Sequence, residues 1–352
     1  MARHVVPGIP KIFCLLLVLL GVQAAALRVA VLQNKGGGHG ELGYALGRAA
    51  PAGAELVIFQ DSAYKAKQAP FSSYGELKAV KVQEIKLSDT SAVVAELSAG
   101  KFDVIIDNNS KDPAAVSSFC DVASSTGARK FVYVSSGGMY TGDAPADGSG
   151  YAEACCKVKE DNECRTVEVA LFNGKMKDKA VSFRPQYIYG DKTNKRGNID
   201  FFVDRIARGV PVPMPGDGSQ LVALTHAEDV ARLLWAGAQG SAPEQSGIFN
   251  AGTDKFVSYA GLCDLIGKKL GKPVTYFKYN PKELSKDLPK PGFPYRPSTF
   301  VLNPAKAKAA FGWSVAHDIS SDVSGWVDQY LALGLDAKEF AEDAAIAALQ
   351  TK

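Results

Sequence analysis

The chain has 352 residues, 46% of them hydrophobic and 22% charged, with a formal net charge of +3. That composition supports a large buried core and excludes a disordered, collagen-like or densely disulfide-stapled chain, and so small an excess of charge points to no particular partner. Arg3 and Lys11 precede the apolar run Ile12 to Val22, and Ala24-Ala25-Ala26 offers a small-residue cleavage site, so residues 1–26 read as a signal peptide. From Ile12 to Ala26 the run is shorter than the roughly 20 residues that a membrane span needs, and no membrane association is expected after cleavage. Cys14 leaves with that segment. Cys120, Cys155, Cys156, Cys164 and Cys263 remain, an odd set without metal-site spacing or a disulfide framework. Cys120 and Cys263 read as small core residues; Cys155, Cys156 and Cys164 lie in a polar stretch and are candidates for redox chemistry.

Leu27 to Gln33 is a β-rich apolar run that enters a glycine cluster directly, and Glu41 to Ala50 then reads as a helix. Further strands are expected at Glu55 to Gln60, Lys81 to Ile85, Phe102 to Ile106 and Lys130 to Val134. Nearly continuous Val/Ile/Phe strands alternating with helical segments predict an α/β chain with a parallel, doubly wound sheet. Residues 141–165 have no clear periodicity, and a strand is expected over Ala180 to Tyr189. Asn198 to Arg208 and Ala227 to Gln239 read as helices joined by the rigid Pro211 to Gly216 connector. Beyond Gly252, proline-broken elements predict a smaller lobe. The domain reading is therefore a dinucleotide-binding-like unit over 27–190, a lobe over 191–334 interleaved with the sheet, and a terminal helix over 335–352.

Gly37-x-x-Gly40-x-x-Gly43 falls between strand and helix, where glycines let the backbone approach a pyrophosphate. Asp61, at the end of the second strand, is placed to accept hydrogen bonds from ribose hydroxyls and to repel a 2′-phosphate, so NAD is preferred to NADP; Gln60 is the alternative. Asp89 follows the third strand, where this fold contacts adenine, or else it caps the helix over Ser91 to Leu97.

Together with Val134-Ser135-Ser136-Gly137-Gly138-Met139-Tyr140, the glycine loop resembles an extended short-chain dehydrogenase, which implies a Rossmann-type doubly wound parallel sheet with a smaller C-terminal lobe. Such an enzyme transfers a proton through a Tyr-x-x-x-Lys pair roughly 25 residues beyond the serine. Here that region reads Lys157 to Thr166 without the pair, and Tyr151 is followed four residues on by Cys155. The pair Tyr74 to Lys78 precedes the fourth strand and reads as coincidence. Nucleotide-sugar epimerases usually place an arginine two residues after a Gly-Asp-Gly-Ser-Gln stretch; this chain has Val222. Ser136 therefore reads as vestigial, and the catalytic residues are unassigned.

Asn34 to His39, Phe102 to Asn109, Phe183 to Gly190, and Thr225-His226-Ala227-Glu228-Asp229 resemble the chloroplast stem-loop-binding protein family, atypical dehydrogenase relatives. The resemblance runs over about 28–330 and implies binding of plastid transcripts or ribosomal RNA, with divalent-metal-dependent endoribonuclease activity, such as with Mg, as a secondary expectation. It also implies ribosome or transcription-complex partners, a homo-oligomer and a plastid location. The rival readings are an NAD-dependent epimerase or dehydratase and an NAD-bound scaffold without catalysis. RNA requires cations for phosphates and aromatic faces for bases. Residues 250–310 hold eleven basic and four acidic side chains. Lys278, Lys282, Lys286, Lys290 and Arg296 interleave there with Tyr276, Phe277, Tyr279, Phe293, Tyr295 and Phe300, and Lys192, Lys195 and Arg196 form a second cluster. Asp107, Asn108 and Asn109 are the best local oxygen donors for a divalent ion, unless they line the cofactor groove. His39 and His226 are acid or base candidates, or else parts of the loop and of a helix start. The plastid expectation conflicts with a signal of secretory type, which leaves the secretory pathway as the alternative. Plastids reached through secretory membranes reconcile the two, although no room remains for a transit segment before Leu27.

Overall fold

The computed structural model describes residues 27–78, 80–283 and 292–338. The expected signal peptide, Lys286, Lys290 and all but the first residues of the expected terminal helix lie outside them. In the first strand, β1 (Arg28–Gln33), Val29 and Val31 face one buried layer while Ala30 and Leu32 face another. Period-two alternation with both faces apolar is what a strand sandwiched between helices requires. The same holds for β2 (Glu55–Asp61), β4 (Val104–Asn108) and β5 (Lys130–Val134), whereas β3 (Val80–Ile85) at the edge is largely exposed. After β6 (Ala180–Pro185), the short β7 (Ile188–Tyr189), β8 (Val212–Pro215), β9 (Leu221–Val222) and β10 (Thr225–His226) leave the sheet, and β11 (Gly247–Ala251) rejoins it. The result is a parallel seven-stranded sheet in the order β11-β6-β5-β4-β1-β2-β3.

One face of the sheet is covered by α1 (Leu42–Arg48). The other is covered by α2 (Thr90–Gly100), α3 (Pro113–Ser125) and α4 (Glu163–Asn173), which bring Val93, Phe119 and Leu171 onto Leu32, Phe59 and Ile105. After α5 (Gly197–Arg208), the chain returns through α6 (Ala227–Gln239) to the α1 face, where the Trp235 indole donates to the Leu46 carbonyl at 3.0 Å. The lobe packs α5, α7 (Tyr259–Leu270) and, beyond α8 (Ala305–Phe311), α9 (Ile319–Ala332) around Phe202, Ile206, Leu262 and Val327. Two small pairings edge it: β9 with β12 (Val257–Ser258), and β8 with β13 (Tyr276–Tyr279).

Two expectations change. The strand foreseen over 180–189 breaks at Tyr187, whose φ of +38° turns the chain so that β7 pairs with β10 instead of extending β6. The segment without periodicity ends at Asn162, whose side chain caps α4 by accepting from the Cys164 amide at 3.0 Å. α4 is hard to read in sequence because its buried stripe, Val167, Glu168 and Leu171, includes a carboxylate. Among the described residues, no helix is long and apolar enough to cross a membrane.

Candidate dinucleotide groove and basic crevice

Between β1 and β4 the strand order reverses, which opens a crevice at the carboxyl ends of the strands. The glycine loop lies there on a bed of buried amides. Asn108 Nδ2 donates to Gln33 Oε1 at 2.8 Å and to the His39 carbonyl at 3.0 Å, Asn34 Nδ2 to the Asn108 carbonyl at 2.7 Å, and Gln60 Nε2 to the Asn34 carbonyl at 2.8 Å. Gly37 adopts φ +86° with nothing near where a Cβ would stand, so its backbone is open to a ligand. A Cβ on Gly40 would lie 3.0 Å from Gly36 Cα, and one on Gly43 would lie 2.9 Å from Gln33 Cγ. Those two positions thus let the loop fold on itself and let α1 approach β1.

Beside the loop runs a groove of about 910 Å³ whose lining includes Gly36, Asp61, Lys86, Asn109 and Lys111. Asp61 Oδ1 accepts from the Ala63 amide at 2.8 Å, and its second oxygen makes no hydrogen bond among the described residues. A positive-φ glycine loop, a strand-end carboxylate and flanking lysines match the donors and acceptors of a dinucleotide. Asp89 has a different place: it caps α2, accepting from the Ala92 amide at 3.1 Å, while its neighbours Ser88 and Thr90 line the groove.

The three candidate metal donors do not converge. Asp107 Oδ1 accepts from the Asn109 and Ser110 amides at 3.0 and 2.9 Å, and burial raises its pKa. Asn108 holds the glycine loop through its Nδ2 and lines the groove together with Asn109, while Asp107 does not line it. With Asp107 apart from the other two, the triplet brings fewer oxygens together than the several that a hard divalent cation takes.

A second crevice, of about 280 Å³, adjoins the loop and is lined by His39, Ser136, Gly138, Tyr187, Lys195 and Arg296 among others. Ser136 Oγ accepts from the Gly138 amide at 3.1 Å. Arg296 Nη2 donates to the Gly138 carbonyl at 2.8 Å and its guanidinium lies 3.7 Å from the Phe300 ring centroid, a stack that holds the fork in place. Neither Arg296 nor Lys195 forms an ion pair among the described residues. Burial, reinforced by Lys195 and Lys111, pushes His39 down to about 4, so near neutral pH it is uncharged.

Where a proton-relay pair would be expected, the first turn of α4 presents Cys164 to the dinucleotide groove, with Glu168 one turn on. Burial raises the Cys164 pKa. Glu168 is fully buried and forks onto Arg184, with Nε to Oε1 at 2.9 Å and Nη2 to Oε2 at 2.6 Å; the Ser135 and Ser182 hydroxyls also donate to Oε1, at 2.8 and 3.0 Å. These side chains are structural partners of one another, and no phenol–ammonium pair stands there. Tyr74 is tied elsewhere, donating to Gln60 Oε1 at 2.8 Å.

Of the described basic residues read from the sequence, Lys195 and Arg296 line one crevice, which Lys192, Arg196, Lys278 and Lys282 do not. Lys192 pairs with Glu76 at 3.0 Å, and Arg196 pairs with Asp200 at 3.0 Å while lying over Trp326. Lys278 and Lys282 are exposed at β13 and the turn after it. The interleaved aromatics are mostly core: Tyr279, Tyr295 and Phe300 are buried, and Phe293 packs edge-on against Phe202 and Tyr259. None of the six is an exposed stacking platform.

A family profile described as the NAD dependent epimerase/dehydratase family matches residues 37–252. The chain is 30% identical, over 246 residues, to the chloroplast stem-loop binding protein of 41 kDa b from Arabidopsis thaliana; the match covers 69% of this chain and 61% of that protein, so the chain spans about three fifths of its relative's length. Among solved structures it is similar to dTDP-glucose 4,6-dehydratase from Bacillus anthracis in complex with NAD (TM-score 0.67, 13% identity, 87% of this chain and 97% of that one). It is also similar to the Thermus thermophilus UDP-glucose 4-epimerase complex with NAD (TM-score 0.63, 18% identity, 87% and 99%). With the glycine loop, the parallel sheet and the profile match in agreement, the chain belongs to the NAD dependent epimerase/dehydratase family.

Proposed function

We propose that the protein binds RNA at the carboxyl edge of its sheet, with a dinucleotide of the NAD type in the adjoining groove and no hydride chemistry between the two. The observation that carries this is that Lys195 and Arg296, neither of them ion-paired among the described residues, line one crevice with Ser136 beside the glycine loop. A phosphodiester fits such a site: the stacked guanidinium offers its remaining N–H donors in a fixed fork, and Lys195 adds a point charge. A crevice of about 280 Å³ takes a nucleotide and not a helix, so an unpaired loop residue enters it while the stem rests on the surrounding surface. The name of the Arabidopsis relative, a stem-loop binding protein of the chloroplast, supports RNA binding and a plastid location; plastid transcripts or ribosomal RNA are the ligands proposed. Asp61 favours NAD over NADP by accepting from the ribose and repelling a 2′-phosphate. RNA cleavage is not part of the proposal, because Asp107, Asn108 and Asn109 do not line one groove together.

The test is fluorescence anisotropy of a labelled stem-loop RNA over a salt series, for the wild type and for Lys195→Ala with Arg296→Ala. Each lost phosphate contact should flatten the slope of log K against log salt by about 0.7, so the double variant should lose roughly 1 to 1.5 and bind at least tenfold more weakly at low salt. NAD binding, followed by calorimetry, should persist in that variant and shows that its fold is intact. An unchanged slope refutes the crevice; hydride exchange with any sugar nucleotide favours the enzyme reading.

A further inference from the structure

Where the N-terminus of α6 meets the segment entering α9, three side chains with metal-binding atoms come together far apart in sequence. His226 accepts from the Glu228 amide through Nδ1 at 3.2 Å, which leaves Nε2 as its available nitrogen. His317 Nδ1 lies 3.2 Å from Asp322 Oδ2, and its Nε2 lies 3.3 Å from Glu228 Oε2. The His317 ring is thus set between two carboxylates, and the gap between its Nε2 and the Glu228 oxygen is one that a bridging cation can fill. The segment is held in place by Asp229, whose carboxylate accepts from the Ala316 and His317 amides at 3.0 and 3.1 Å. The ligand atoms of His226, Glu228 and His317 all lie within 4.8 Å of one another. Beside them is a cavity of about 100 Å³ lined by Glu41, Asp191, His226 and Glu228 among others. Glu41 is only 5% exposed, yet its Oε2 is buried without a hydrogen-bond partner.

We propose that His226, Glu228 and His317 bind one divalent transition ion of the zinc class, with Asp322 orienting His317 and the fourth ligand position facing the Glu41 cavity. Two imidazoles and a carboxylate suit zinc and its neighbours over magnesium or calcium, and a carboxylate on the far ring nitrogen is the usual support for a ligating histidine. The two rings are stacked at 3.6 Å with planes 13° apart. A tetrahedral ion with bonds of about 2.0–2.1 Å draws its ligand atoms to about 3.4 Å apart, so the rings fan open from the stack as they close on it. The ion ties the start of α6, in the sheet layer, to the start of α9, in the lobe.

The test uses the full, untagged chain stripped with a chelator and titrated with zinc by calorimetry, then with cobalt(II) by visible absorption. One equivalent should bind, and cobalt should show the intense ligand-field bands of a four-coordinate site. His317→Ala and Glu228→Gln should each weaken zinc binding at least about 100-fold, and Asp322→Asn about 10- to 100-fold. Cys155→Ser with Cys156→Ser should leave it unchanged. Should His317→Ala fail to fold, Glu228→Gln gives the decision, since that side chain is 44% exposed and the change is nearly isosteric. Absence of one-to-one binding, retention of wild-type affinity in Glu228→Gln, or loss of binding in the cysteine variant overturns the assignment.

Discussion

Removing the Glu168 carboxylate should be among the most damaging single changes in the chain. The side chain is fully buried, Arg184 is 3% exposed, and the pair is bidentate with two serine hydroxyls completing one oxygen. In Glu168→Leu the guanidinium keeps only the Tyr140 hydroxyl, at 3.0 Å, and its charge is uncompensated in the core. Breaking one side of a buried pair costs about 3–5 kcal/mol, whereas replacing both partners with apolar groups of similar volume is often close to neutral. Here Ser135 and Ser182 lose their acceptor, a further cost of about 1 kcal/mol each. The double variant Glu168→Leu/Arg184→Met should therefore lie about 1–3 kcal/mol below wild type, less destabilised than Glu168→Leu alone. Urea unfolding followed by far-UV circular dichroism on all four members of the cycle measures this. A coupling energy under about 1 kcal/mol, with the single costs simply adding, would refute the description of Glu168 and Arg184 as an interdependent buried pair. The same geometry explains why Cys164→Tyr with Glu168→Lys will not restore an enzyme: the new lysine would sit against Arg184 and Arg165 in place of the buried carboxylate that Arg184 needs.

His39 gives a pH dependence of defined sign. Its folded-state pKa, about 4, is below the usual 6.5, so the unfolded chain binds the extra proton first. Its contribution is complete above pH 6.5 and is lost as pH falls through about 4, an effect on the order of 1–3 kcal/mol. His39→Gln should flatten the stability profile over that window in urea titrations, and an unchanged profile counts against the burial argument. Thiol labelling should follow exposure: Cys155 is exposed and should alkylate first, whereas burial raises Cys164 and pushes Cys120 and Cys263 up to about 12. Peptide mass mapping after brief iodoacetamide treatment should find Cys120 and Cys263 unmodified; early labelling of either contradicts their packing.

Local chemistry alone determined the framework. Apolar runs such as Arg28 to Gln33 and Lys130 to Val134, each short and each ending at polar or glycine-rich turns, announce buried parallel strands because every residue along them must satisfy one of two covered faces. The positions of the glycine loop and Asp61 in the fold were legible for the same reason: they depend on neighbours in the chain and on a strand end, both local properties. α4 was not legible, because its capping Asn162 and buried Glu168 read as polar loop until Arg184 is seen opposite. Nor does periodicity tell a basic residue in a crevice from one in an ion pair. Lys192 and Lys195 are three positions apart, yet one meets Glu76 and the other opens onto Ser136. Arg296 reaches the Gly138 carbonyl across 158 residues only because the lobe folds back over the switch point of the sheet. His226 and His317 meet because α6 belongs to the sheet layer and α9 to the lobe. Such meetings are set by how helices and sheet pack, a long-range property that no window of sequence carries, and it is there that the candidate binding chemistry of this protein was decided.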